Sequence, residues 1–158
     1  VDYMMIGHAF YPALEAERLP SSLSHNVISK LLRQDQGFTG LVMTDDLDMG
    51  AILNHFGLAE TIRLAIEAGN DLAMICHRVP CVEEALAHLE KVDRKDLDRA
   101  SENVARFKTR MVPADPWDAS VFQKRDAKVL QLRIDTLGAE AASSRSPEDG
   151  KRSPVEIY

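Results

Sequence analysis

Little in this sequence announces a specialised class of protein. Only two cysteines, Cys76 and Cys81, occur among its 158 residues, too few for a disulfide framework and compatible with a reducing compartment or plain core use. No apolar run approaches the roughly 18 residues of a membrane-spanning helix, so no membrane partner is expected. Basic residues do not prevail: 19 Lys and Arg against 25 Asp and Glu give a formal net charge of −6, which argues against a nucleic-acid partner. Cys76, His77 and Cys81 are close together, but Cys-His-x3-Cys is not a zinc spacing and no second ligand pair exists. No metal and no other cofactor is expected. There is no Met at position 1 and no polar lead-in; the chain opens directly into Val1-Asp2-Tyr3-Met4-Met5-Ile6-Gly7-His8. We therefore expect a chain that starts inside a core, with a cytoplasmic address taken only as the default. The remaining composition, 45% hydrophobic and 28% charged, is that of one modest globular domain.

Three short apolar runs bounded by turn signals read as buried strands: Tyr3 to Gly7, Gly40 to Thr44, and Asp71 to Cys76. Helical patterns lie between them. Ser24 is positioned as an N-cap ahead of Val27, Ile28, Leu31 and Leu32, and Ala59 to Ala68 ends at Gly69-Asn70. Val82 to Leu89 follows the third strand. The order β-α-β-α-β-α demands parallel strands and an α/β fold. Two further helices are expected over 97–111 and 117–137, separated by Pro113-Ala114-Asp115-Pro116. From residue 139 the composition turns to small, polar and charged residues, predicting a disordered tail over 139–158. Three strands make a poor sheet on their own, because both edges stay open. A doubly wound sheet and a β/α barrel would each need more strands than this chain supplies.

The stretch Thr44-Asp45-Asp46-Leu47-Asp48-Met49-Gly50 is the most informative. An apolar run ends abruptly in adjacent carboxylates at the C-terminal end of a buried parallel strand, where enzymes on parallel sheets place their reacting groups. Strand alternation puts Leu41, Met43 and Asp45 on one face and Val42, Thr44 and Asp46 on the other. One carboxylate then faces the cleft while its neighbour anchors the loop. The cleft carboxylate would serve as a nucleophile, a base or a metal ligand; the bland alternative is that the pair only caps the loop and the next helix.

These residues, in order and at these spacings, resemble a known family. The opening segment Val1 to Leu14 is joined by Ser22-Leu23-Ser24, Leu31-Leu32-Arg33 and Gly37-Phe38-Thr39-Gly40. Then come Val42-Met43-Thr44-Asp45-Asp46-Leu47 with Met49-Gly50-Ala51-Ile52, and finally Ala68-Gly69-Asn70-Asp71-Leu72. Together they resemble the C-terminal part of the catalytic barrel of glycoside hydrolase family 3, in its β-N-acetylhexosaminidase branch. The resemblance implies an α/β fold, a partial (β/α)8 TIM barrel made of the last three β/α units over 1–111. A helical extension over 112–138 would follow. It implies that Asp45, the first Asp of Thr-Asp-Asp-Leu, is the nucleophile of a retaining glycosidase acting on terminal β-N-acetylglucosaminides such as peptidoglycan fragments. A nucleophile must stay ionised, so Asp45 should be hydrogen-bonded or partly solvated. The resemblance implies an acid/base from an Asp-His dyad on a loop introduced by a Lys-His-Phe-Pro-Gly-His-Gly-like stretch, and no such stretch occurs in these 158 residues. A β-glucosidase of the same family is the alternative enzyme.

Other residues follow from position. His8 ends the first strand and is expected to touch substrate at the barrel mouth; His77 ends the third strand in the same way. Met49 packs at the start of the loop after Asp45 and is a second candidate for lining the sugar pocket. Asp48 is a third carboxylate where the family often has Ser, expected either to raise the pKa of the most buried neighbour or to point to solvent. Trp117 offers an aromatic face but is beyond the barrel portion, so helix packing is its expected job. The expected partner is a carbohydrate. A non-catalytic half-barrel that pairs with a complementing chain, or with itself through open sheet edges, is the competing reading.

Overall fold

A computed structural model describes residues 1–143. Three parallel strands, β1 (Tyr3–Ile6), β2 (Leu41–Asp46) and β3 (Leu72–Met74), form one sheet in the order β1-β2-β3. A 3-10 turn at Ser21–Leu23 and a π-helix at Asn26–Asp35 lead from β1 to β2. Helices α1 (Gly50–Leu53) and α2 (Leu58–Ala68) lead from β2 to β3, and α3 (Val79–Leu89) and α4 (Arg94–Lys108) follow. The alternation of strands and helices over this part is the α/β arrangement that the apolar runs predict.

The chain divides into two compact units, and the first spans Val1–Met111. In it, β1 pairs with β2 through Tyr3↔Leu41, Met4↔Val42, Met5↔Met43 and Ile6↔Thr44. The Met4 and Val42 side of the sheet is covered: Val42 packs with Ile28, Leu32 and Ala68, and Met4, Ile6 and Phe38 close the cluster. A second cluster of Leu23, Leu47, Ile52, Ile62, Ala65 and Ala85 binds the loop after β2 to α2 and α3. On the other side β1 is open, with Tyr3 61% and Met5 53% exposed. β1 and β3 are therefore half-exposed edge strands, not the fully buried strands expected. Burial depends on what covers the sheet as well as on the strand's own apolarity.

Sequence signals set several boundaries. Ser24 Oγ accepts from Val27 N at 3.2 Å, as expected of a cap. The helix it opens is wound in the wide π form, seen in the Gln36 N to Leu31 O bond. α2 ends at Gly69, whose φ of +114° is a left-handed conformation. The Gly69 N–H donates to Ile66 O and the Asn70 N–H to Ala65 O, the paired bonds of a Schellman closure. Below it lies Asp71, fully buried, which accepts from Arg33 Nη2 (2.7 Å), Val42 N (2.9 Å), Asn103 Nδ2 (2.8 Å) and Arg99 Nη1 (3.2 Å). This carboxylate ties the π-helix, β2 and α4 to the start of β3.

The second unit begins at Val112. Its described part holds α5 (Ala119–Leu137), capped by Asp118 Oδ1 on Ser120 N at 2.7 Å, and α6 (Ala139–Ser143). Trp117 packs on Phe122 with ring centroids 5.5 Å apart. The first five residues of the expected tail are thus helical, because Ala139, Ala141 and Ala142 favour a further turn. The rest of that tail lies outside the described residues. Among the described residues no helix is long and apolar enough to cross a membrane.

Candidate active site at the strand ends

Parallel pairing brings the C-terminal ends of β1, β2 and β3 to one rim, and with them His8, the Asp45 to Met49 loop, and Cys76 to Arg78. β2 is irregular at this rim. Met43 pairs with Leu72 and Asp46 with Met74, so β2 advances three residues where β3 advances two. The extra residue is a bulge at Thr44–Asp45, the kind of irregularity that re-aims a side chain at the end of a strand. Thr44 Oγ1 accepts from Met74 N at 2.9 Å and Met74 O accepts from Leu47 N at 2.9 Å, so the backbone groups displaced by the bulge stay bonded.

Asp45 is half-buried, one residue from the C-terminal end of β2. Its Oδ1 accepts from the Asp46 backbone N–H at 2.8 Å. Among the described residues its Oδ2 has no hydrogen-bond partner. One oxygen is held and the other is available, an arrangement that suits a carboxylate nucleophile better than a structural cap.

Asp46 is the opposite case, buried and saturated. Oδ1 accepts from Asp48 N and Cys76 N, each at 3.0 Å, and Oδ2 pairs with His77 Nδ1 at 2.7 Å. Its carbonyl accepts from His8 Nε2 at 2.9 Å and Met49 N at 3.1 Å. Burial acts to raise the Asp46 pKa, but the two backbone N–H donors and His77 outweigh it and hold the carboxyl below its ordinary value. The neighbouring thiol moves the other way: burial, with the Asp46 charge beside it, pushes Cys76 up.

Asp48 neither faces solvent nor raises its neighbour. It is 1% exposed and accepts from Arg78 N (2.9 Å), Arg78 Nε (3.2 Å) and His77 N (3.3 Å). The guanidinium supplies the opposite charge, so a third carboxylate is accommodated by pinning the loop after β3. His8 has both ring nitrogens engaged within the chain. A carbonyl can only accept, so Nε2 carries the proton and donates to Asp46 O, while Nδ1 accepts from Ser22 Oγ at 2.7 Å. A substrate contact through either nitrogen would require one of these bonds to be exchanged. Met49 is half-buried and immediately precedes α1, with its own carbonyl accepting from Ile52 N and Leu53 N. The strand ends therefore bring Asp45, His8 and Met49 into one loop cluster. The pairing of Asp46 with His77 and of Asp48 with Arg78 is not legible in the sequence, because no local pattern joins residues about 30 apart. A concavity of about 470 Å3 runs along Leu72, Ala73, Leu97, Ala100 and Val104, away from this rim.

The pattern of the glycosyl hydrolase family 3 N-terminal domain matches residues 1–107. The beta-hexosaminidase of Thiobacillus denitrificans is 38% identical over 87 residues, which cover 55% of this chain and 24% of that protein. The beta-hexosaminidase of Neisseria gonorrhoeae (strain ATCC 700825 / FA 1090) is 32% identical over 94 residues, covering 60% and 26%. The structure of a glycoside hydrolase family 3 beta-N-acetylglucosaminidase from Paenibacillus sp. str. FPU-7 superposes with a TM-score of 0.68 at 35% identity. That alignment covers 75% of this chain and 24% of the other. The chain thus spans about a quarter of the length of the relatives it matches.

Proposed function

Because the chain belongs to glycosyl hydrolase family 3, we propose that it carries the nucleophile, Asp45, of a retaining β-N-acetylglucosaminidase. Residues 1–111 then form the last three β/α units of the family's (β/α)8 barrel. The observation that carries this reading is the Asp45 carboxylate itself, at the C-terminal end of the central strand, with one oxygen held by Asp46 N–H and the other available. Asp45 Oδ2 attacks the anomeric carbon of a terminal β-N-acetylglucosaminide as the glycosidic oxygen leaves with a proton, through an oxocarbenium-like transition state. Water then cleaves the glycosyl ester and the configuration is retained. The N–H bond to Oδ1 disperses the negative charge of the attacking carboxylate and fixes its rotamer.

The proton donor is not among these residues, since no counterpart of the family's Asp-His dyad occurs in the 158. The chain alone is accordingly expected to show no turnover of a chromogenic N-acetylglucosaminide. A chimera in which residues 1–107 replace the matching segment of the Thiobacillus denitrificans relative supplies the missing groups. It is expected to hydrolyse that substrate, and Asp45→Asn to lower its kcat by at least about 10³-fold. An active chimera that is indifferent to Asp45→Asn would overturn the assignment. Hydrolysis of a β-glucoside in preference to the N-acetylglucosaminide would favour the β-glucosidase alternative.

A further inference from the structure

We propose that His77 is a positioning residue: by gripping the Asp46 side chain from the β3–α3 loop, it fixes the backbone N–H that orients the Asp45 carboxylate. The inference rests on Asp45 as nucleophile only for its purpose, not for its geometry. Residue 46 is held from three loops. His8, from the loop after β1, donates to its carbonyl; Asp48 N and Met49 N, from its own loop, donate to Oδ1 and to the carbonyl; Cys76 N and His77 Nδ1, from the loop after β3, reach its carboxylate. The one group of residue 46 that these contacts do not use, its N–H, is the donor to Asp45 Oδ1.

Of the two histidine links to residue 46, His8 reaches the carbonyl and His77 the carboxylate. At 2.7 Å the His77 bond is the shortest of the set, and it joins a His side chain 37% exposed to an Asp side chain 8% exposed. Apart from His77 the carboxylate accepts from the backbone N–H groups of Asp48 and Cys76. The bulge leaves Asp45 outside the regular ladder, so its carboxylate is oriented by the Asp46 N–H and not by a strand partner of its own.

The test is made on the chain by NMR at pH 7, reading two signals beside Asp45: the exchange rate of the Asp46 amide proton and the carboxyl carbon shift of Asp45. Asp45→Asn assigns both and should move the Asp46 amide signal; no movement would mean the N–H to Oδ1 bond is absent and would overturn the proposal. His77→Ala is expected to raise Asp46 amide exchange about tenfold and to shift the Asp45 carboxyl signal, with the Val42 and Ile62 amides unchanged. His77→Asn places an amide nitrogen near the Nδ1 position and should restore both signals. His77→Gln places it near the Nε2 position and should not, which keeps the test decisive if the alanine variant fails to fold. Equal loosening of Val42, Ile62 and Asp46 in the Ala and Gln variants, with no rescue by Asn, would reduce His77 to a general structural role. These signals report on orientation alone, so they are independent of whether Asp45 reacts with a sugar.

Discussion

Replacing Asp71 by Asn should cost this fold more than any other single isosteric change. The carboxylate is fully buried and receives four donors: Arg33 Nη2 and Val42 N on Oδ2, Arg99 Nη1 and Asn103 Nδ2 on Oδ1. An amide keeps one acceptor and turns an NH2 towards two of those donors. It also leaves Arg33 and Arg99 facing each other without the charge between them. Burial already acts to lower the Arg99 pKa; Asp71 opposes that and Arg33 adds to it, and the net direction is downward. Two charge-assisted bonds are worth about 1.5–3 kcal/mol each, and removing one partner of a buried pair costs about 3–5 kcal/mol. Both arginines retain carbonyl partners, Gly69 O for Arg33 and Ile66 O, Gly69 O and Asn70 O for Arg99. The loss should therefore fall near the lower end, about 3–4 kcal/mol, or on the order of 10–15 °C in Tm for a unit of this size. Urea denaturation of the chain at pH 7 measures it, with Asn103→Ala as a neutral comparison expected at about 1 kcal/mol. A loss below about 1 kcal/mol for Asp71→Asn would refute the view that this carboxylate joins the π-helix, β2 and α4.

Further outcomes follow from the same contacts. Gly69→Ala should destabilise by more than about 1 kcal/mol, since φ is +114° and a Cβ would meet Ser29 Oγ at 2.5 Å; thermal melting checks it. Asp46 has a folded pKa below its ordinary value of 3.8, so it favours the folded state when deprotonated. Its stabilisation should be complete above pH 3.8 and vanish as the pH falls through the folded value. The stability gap between the chain and its Asp46→Asn variant should accordingly shrink in urea titrations from pH 5 to pH 2. A gap that stays constant over that range would mean the carboxylate is not held by its donors. The exposed Tyr3 and Met5 side chains, and the outer edges of β1 and β3, which pair with no strand among the described residues, should make the chain self-associate. Sedimentation should then show oligomers, and a monomer at high concentration would contradict this.

The parts legible in the sequence are those where local chemistry decides the outcome. An apolar run that stops at two carboxylates marks the end of β2 and brings Asp45 to a strand terminus, and Gly69-Asn70 marks the stop of α2 through the φ that only glycine adopts readily. The alternation placing Asp45 opposite Asp46 survives in their burial, half-buried against buried. What escapes a sequence reading is set by long-range partners. The bulge at Thr44–Asp45 exists only relative to β3, and the exposure of β1 depends on what covers the sheet. α1 is a four-residue turn, too short to show periodicity. His8 was legible as a strand-end histidine, but its engagement with Ser22 and Asp46 was not. His77 was legible as a rim residue, and only the fold shows that it reaches Asp46.

The central claim is that Asp45 forms the bond to the sugar. The anomeric fluoride of a fluorinated N-acetylglucosaminyl fluoride departs without help from an acid, and the fluorinated sugar stays on the nucleophile as a slowly hydrolysed glycosyl ester. Applied to the chimera that carries residues 1–107 and followed by peptide mass spectrometry, it should label Asp45 and leave the Asp45→Asn protein unlabelled. A label on Asp46, Asp48 or a residue outside this segment would contradict the account.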